Sequence, residues 1–379
     1  MRAYVFTDRS LTRHAGRFVW LEIDTEKAKN APLRKRLGVL ALPTYLVVDP
    51  ADEKVALRWV GGFTVAQLDR LLEDGVAAVS GRTGAGAAEV ALARADRLYG
   101  DADYAGAASA YREALAAAPP GWAPAARATD ALLFALDRGE DYAAEAQVAR
   151  EAWPRERGTA AGASVAGSGL GAALALPDSA PGRAELVAGF EAAVREVLAD
   201  TALGIAADDR SGLYISLLDA RRDAKDETGA KRVAAEWSAF LDGAAARAGT
   251  PEQRAVFDSH RLSAYRELGQ VERAIPMLEA SERDLPGDYN PPARLAAAFL
   301  WLKRWDEALA ASDRALARAY GPRKLGFYST RADIFSGKGD PAAARRTLEE
   351  AIRYAESLPA EQRSEATIAG LRKKLAALQ

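Results

Sequence analysis

Chemistry in a chain of 379 residues starts from its nucleophiles and metal ligands, and here they are few. There is no cysteine, and there are two histidines, His14 and His260. Without a thiol the chain forms no disulfide, holds no thiolate-bound metal and has no cysteine nucleophile. His14 stands beside Arg13, and His260 lies in "DSHR". Neither has the nearby partners that a metal site or an acid–base pair needs, so both are expected at surface or capping positions. "TGAGAAE" (83–89) and "GSGLGAA" (167–173) imitate the glycine spacing of a dinucleotide loop. Neither follows a strand pattern, which that site requires, so the first reads as linker and the second as close helix packing. The short runs "RKR" (34–36) and "RRDAK" (221–225) read as solvated faces. No catalytic residue, metal or cofactor is expected in this chain.

Composition narrows the partners. Basic and acidic residues number 51 and 53, a formal net charge of −2, which gives no footprint for nucleic acid or an anionic membrane. The uncharged stretch 158–177 is mostly Gly, Ala and Ser, too weakly hydrophobic for a bilayer span. It is expected to pack inside protein. No apolar run follows the basic residue after Met1, so a soluble, cytoplasmic chain is expected.

The remaining candidates must be held by elements. In the first 78 residues, "RFVWLEID" (17–24) is apolar and β-branched and predicts a buried strand. A helix is expected over 26–38, ending at Gly38. "TYLVVDP" and "EKVALRWVG" (53–61) predict two more strands joined by the turn 49–52. "TVAQLDRLLEDGV" (64–76) predicts an amphipathic helix with Leu68, Leu71 and Leu72 on one face. A strand–helix–strand step followed by a hairpin implies a mixed sheet.

Asp24 at the end of "VWLEID", Gly38, "LPT" at 42–44, the hairpin and Gly61-Gly62 together resemble the back two-thirds of a thioredoxin fold. The resemblance implies a cis bond before Pro43. It also implies that Leu42, Pro43 and Thr44 form a loop whose backbone at Leu42 docks an extended peptide. The front third of that fold, with its Cys-x-x-Cys turn, has no counterpart. Two readings follow. Either the unit is redox-inactive, or its cysteines lie just upstream of Met1 and the parent is a thiol-disulfide oxidoreductase.

After a Gly-rich linker (79–87), residues 88–379 read as helical and repetitive. Small pairs seven residues apart recur at Ala107/Ala114, Ala274/Ser281, Ala308/Ala315 and Ala344/Ala351. The last three units are spaced by 34 residues (274 to 308) and 36 residues (308 to 344). A period in the thirties marks two-helix units that stack through close helix approach. The pattern resembles the tetratricopeptide repeat, clearest over 88–121, 255–288, 289–322 and 325–358. The expected class is therefore α/β plus all-α, a partial thioredoxin-like domain (1–78) followed by a tetratricopeptide-like α-solenoid. In the repeat frame Ser259, Ser263, Arg266, Asn290, Ala297, Trp301, Ser329 and Asp333 fall on the face that would line a peptide groove. The function expected is a protein-interaction scaffold holding a protein or peptide partner. The alternative is the oxidoreductase above, with the solenoid recruiting its substrates.

Overall fold

The computed structural model describes residues 4–80 and 86–378, so most of the expected linker, residues 81–85, lies outside the described residues. The chain opens with a 3-10 turn, Arg9–His14, where the Asp8 carboxylate accepts from the Ser10 amide. A second 3-10 turn, Ala28–Asn30, leads into a short helix, α1 (Ala31–Arg36). Strands β1 (Thr44–Val48) and β2 (Val55–Val60) pair antiparallel, with Thr44 opposite Val60 and Tyr45 opposite Trp59. Helix α2 (Val65–Val79) starts at a capping box in which the Thr64 and Gln67 side chains each accept from the other's backbone amide.

This part of the chain corrects the thioredoxin-like expectation. A thioredoxin-like α/β domain needs a mixed sheet, and the described residues hold one sheet of two strands. "RFVWLEID" contributes no strand: residues 18–24 have no regular structure, and Val19 and Leu21 are 88% and 77% exposed. Its composition favours a strand, but a strand needs a row of backbone partners, and among the described residues β1 pairs with β2 alone. The helix expected over 26–38 is reduced to the 3-10 turn and α1. Gly38 does take the left-handed φ of +58° that suits a helix-ending glycine. The fold class is thus a helical array carrying a two-stranded hairpin.

Contacts divide the chain into two units: residues 1–19 with 37–233, and residues 20–36 with 234–379. In the first, the hairpin and α2 bury Leu57, Trp59, Phe63, Leu68, Leu71 and Leu72 against Val5 and Leu11. Gly75 lets α2 settle on β1, since a Cβ there would stand 2.8 Å from Val47. The same unit continues with α3 (Ala87–Gly100), α4 (Tyr104–Ala117), α5 (Ala125–Arg138), α6 (Tyr142–Glu156), α7 (Ala160–Ala175), α8 (Arg183–Ala199) and α9 (Ala207–Asp223). The division falls inside α10 (Glu227–Ala246). The second unit adds α11 (Pro251–Ala255), α12 (Asp258–Glu267), α13 (Ala274–Asp284), α14 (Asn290–Trp301), α15 (Trp305–Arg318), α16 (Arg323–Lys338), α17 (Pro341–Ser357) and α18 (Glu365–Ala376).

Successive helices pack on one another, and six of the turns between them share one geometry. In each, a residue with left-handed φ precedes the second helix: Ala102, Glu140, Lys225, Gly269, Lys303 and Gly339. The next residue's amide then reaches back to the first helix: Asp103 to Leu98 O, Asp141 to Leu136 O, Asp226 to Arg221 O, Gln270 to Tyr265 O, Arg304 to Phe299 O and Asp340 to Phe335 O, all at 2.7–2.9 Å. This bond closes the helix end by satisfying a carbonyl that has no partner within the helix. Four of these turns then begin the second helix with an aspartate side chain accepting a backbone amide: Asp103, Asp141, Asp226 and Asp340.

Small residues sit where the helices meet. Each member of the four small pairs is at most 1% exposed, as close helix approach requires. The uncharged stretch forms α7, buried within the first unit at Val165, Ala166, Leu170 and Ala173. Gly169 of "GSGLGAA" faces Phe190 of α8, and a Cβ there would overlap the ring. That segment is helix packing, not a nucleotide loop. No helix among the described residues is long and apolar enough to cross a membrane.

Candidate functional site

Residues of the expected groove lie on α12, α14 and α16, the first helices of three successive hairpins in the second unit. Adjacent first helices pack on one another, α12 on α14 and α14 on α16, so their shared face is continuous. Ser263 and Arg266 are exposed on α12, and Ala297 and Trp301 are half-buried on α14. The Arg266 guanidinium lies 4.1 Å from the centre of the Trp301 ring. Such a cation–π contact at a partly exposed site contributes about 0.5–1 kcal/mol. Ser259 is half-buried, and its carbonyl accepts from the Ser263 hydroxyl.

The other groove residues are engaged within the chain. Asn290 starts α14, and its amide and side chain both bond the Asp288 carboxylate, at 2.7 and 2.8 Å. It borders an open depression of about 530 Å³ together with Arg294, Asp284, Leu285 and Glu252. Ser329 and Asp333 on α16 are half-buried and engaged by α18, whose Lys374 Nζ donates to Ser329 Oγ at 2.8 Å and Asp333 at 2.7 Å. Among the described residues, the α12–α14 part of the face, around Arg266 and Trp301, carries no such ion pair to α18.

Asp258 and Arg294, which sequence reasoning missed, influence each other electrostatically. Asp258, in the first turn of α12, is fully buried, and burial pushes its carboxyl up from the usual range. The positive charge of Arg294 acts against that shift, and burial in turn lowers the Arg294 guanidinium. In a repeat frame built on apolar and small positions, a buried Asp leaves no periodic mark.

The Leu42 corner is formed without the sheet expected around it. The Leu42–Pro43 bond is cis, and Leu42 is 59% exposed. The Pro43 carbonyl accepts from the Gly61 amide at 2.9 Å, and the Thr44 hydroxyl donates to Ala41 O at 2.7 Å. His14 departs from expectation: it is fully buried, not a surface or capping residue. Its ring lies 2.9 Å from Asp69 Oδ1 of α2, while Arg13 pairs with the same carboxylate and Arg17 with Glu73 at 2.6 Å. The amphipathic pattern of α2 showed its apolar face, but these carboxylates are on its polar side. His260 is half-buried, its ring 5.9 Å from that of Trp237. No group of three or more metal-ligating side chains occurs among the described residues.

A second missed network ties the hairpin to the first helices of its unit. Arg58 of β2 is 5% exposed and donates to Gly38 O at 2.8 Å and Leu37 O at 2.7 Å. Arg127 of α5 donates to Arg58 O at 2.9 Å and to Asp96 of α3 at 3.0 Å. Tyr111 of α4 donates to the same carboxylate at 2.7 Å. One strand and three helices thus share a buried polar junction, with Gly100 close enough that a Cβ would stand 2.7 Å from the Arg58 guanidinium.

Comparison with known proteins adds little. No protein-family model matches the chain, and no curated protein matches it. Among solved structures, one similar chain is a tetratricopeptide repeat protein from Parabacteroides merdae ATCC 43184, 12% identical over 76% of this chain and 99% of that one, with a TM-score of 0.48. A likeness of that size decides nothing about this chain, whose helical-hairpin architecture stands on its own turns and packing.

Proposed function

We propose that this chain is a protein-interaction scaffold that receives an extended or helical peptide on the α12–α14 face of its second unit. The observation that carries the reading is the Arg266–Trp301 stack. It presents a flat, partly exposed aromatic surface and a guanidinium on adjoining first helices, two side-chain types that dominate binding energy at protein interfaces. The Leu42 corner has no part in this reading, because the sheet that gave it a docking role is not present. Redox chemistry has none either, since the chain offers no thiol. Peptide-library selection on the purified full-length chain tests the proposal. Peptides enriched on the native chain should lose at least tenfold in affinity on Trp301→Ala, measured below the melting transition of the variant, whose core contacts Trp301 also supports. Enrichment indifferent to both Arg266→Ala and Trp301→Ala would place the binding face elsewhere.

A further inference from the structure

The second unit contains a segment from the far end of the sequence. Residues 20–36 belong to it, and they are held by loops between its hairpins. The Tyr320 hydroxyl donates to Asp24 Oδ2 at 2.6 Å. The Arg323 amide, at the first residue of the 16-residue helix α16, donates to Glu26 Oε2 at 2.8 Å. Gln362, 6% exposed, donates its side-chain amide to Thr25 O at 3.0 Å and Glu26 O at 3.1 Å. Gly321 completes the surface, because a Cβ there would overlap Glu26 O. Each contact reads a different feature. A phenol and a helix N-terminus meet two carboxylates, a carboxamide meets two carbonyls, and a bare backbone admits the chain closely.

The bound segment is pre-shaped for this. Asp24 Oδ1 accepts from the Glu26 amide at 2.9 Å, and Asp24 O accepts from the Asn30 side chain at 2.8 Å. Two acidic side chains two positions apart are thereby set in a turn.

We propose that the loops around Tyr320–Arg323 and Gln362 form a recognition site for acidic Asp-x-Glu turns, occupied in cis by residues 24–26 and open to a peptide of the same chemistry when that segment is released. The site stands apart from the α12–α14 face, so its failure would leave the scaffold reading untouched. Because residues 24–26 are tethered, a competing peptide faces an effective concentration in the millimolar range.

The test uses the full-length chain and a fluorescent peptide of residues 21–31. The Asp24→Asn/Glu26→Gln double variant weakens the internal occupant, and it should bind the peptide at least tenfold tighter than the native chain does. Adding Gly321→Val to that variant should abolish the gain. Equal binding by native chain and folded double variant overturns the proposal. If circular dichroism shows the double variant unfolded, the native chain supplies the readout. Millimolar peptide should then speed hydrogen exchange at residues 22–31 severalfold while α14 and α15 stay unchanged. Exchange at 22–31 indifferent to the peptide overturns the proposal equally.

Discussion

Replacing Arg127 with methionine tests whether the hairpin is an integral part of the helical array. Methionine keeps most of the side-chain volume and removes the guanidinium. Three bonds go with it, one to Arg58 O and two to Asp96. The Arg127 and Asp96 side chains are 10% and 7% exposed, so the loss is of a buried pair. Removing one partner of such a pair costs about 3–5 kcal/mol when the other charge is left alone. Asp96 is not left alone, because the Tyr111 hydroxyl still donates to it and the Arg58 charge stays close. We therefore expect about 2–3 kcal/mol for Arg127→Met. Asp96→Asn in the same chain should recover part of this, giving a coupling of about 1 kcal/mol or more in a double-mutant cycle. Urea unfolding followed by circular dichroism measures the total. Hydrogen exchange at Val55–Val60 locates it, since β2 should lose protection along with α3 and α5. A cost below about 0.5 kcal/mol, or strict additivity with Asp96→Asn, would refute the idea that this junction holds the hairpin to the helices.

Further outcomes follow from single residues. Burial holds the carboxyls of Asp130 and Glu145 up at about 8. Both are neutral in the folded chain at pH 7 and ionised once it unfolds, so their contribution to stability is full below about pH 4 and is lost as pH rises through 8. Urea midpoints should fall across that window, and Asp130→Asn should flatten the slope by of order 1 kcal/mol or more. Lys303 holds a left-handed φ of 57°, so Lys303→Gly should raise stability by about 0.5–1 kcal/mol in thermal melts, the left-handed strain exceeding the added freedom of the unfolded chain. Gly169→Ala would place a methyl inside the Phe190 ring, and about 1–3 kcal/mol of destabilisation is expected by urea titration.

The parts of the fold written in local pattern were readable, and those that depend on distant partners were not. Small residues at Ala308 and Ala315, or Ala344 and Ala351, mark helix contacts because only short side chains permit them. The β1–β2 hairpin and α2 followed from β-branched runs, an Asp-Pro turn and leucine spacing. "RFVWLEID" has equally strong strand chemistry, but strand formation is decided by a neighbour, and the sequence does not say where one is. The hairpin turns carry a weaker local mark. Ala102, Glu140, Lys225 and Lys303 occupy left-handed positions without being glycine, so the punctuation that locates a turn is missing there. Among the candidate site residues, the repeat frame put Arg266 and Trp301 on one periodic helix face, and the two side chains do meet. It could not foresee that Lys374 would bond Ser329 and Asp333, or that Asp258 would be buried, since these contacts have no fixed spacing.

The route of the chain through its two units bears on how it is made. Asp24 and Tyr320 touch across 296 positions of sequence. At translation speeds of about 5–20 residues per second, residues 24–26 leave the ribosome roughly 15–60 s before the loop that receives them. Throughout that interval the acidic turn is displayed on a growing chain without the loops that receive it, while the first helical hairpins close locally and fast. The second unit is therefore a late product of synthesis, completed when its last hairpins capture a piece of the first tenth of the protein. Fusion partners or truncations at the amino end should for that reason disturb the carboxyl-terminal repeats.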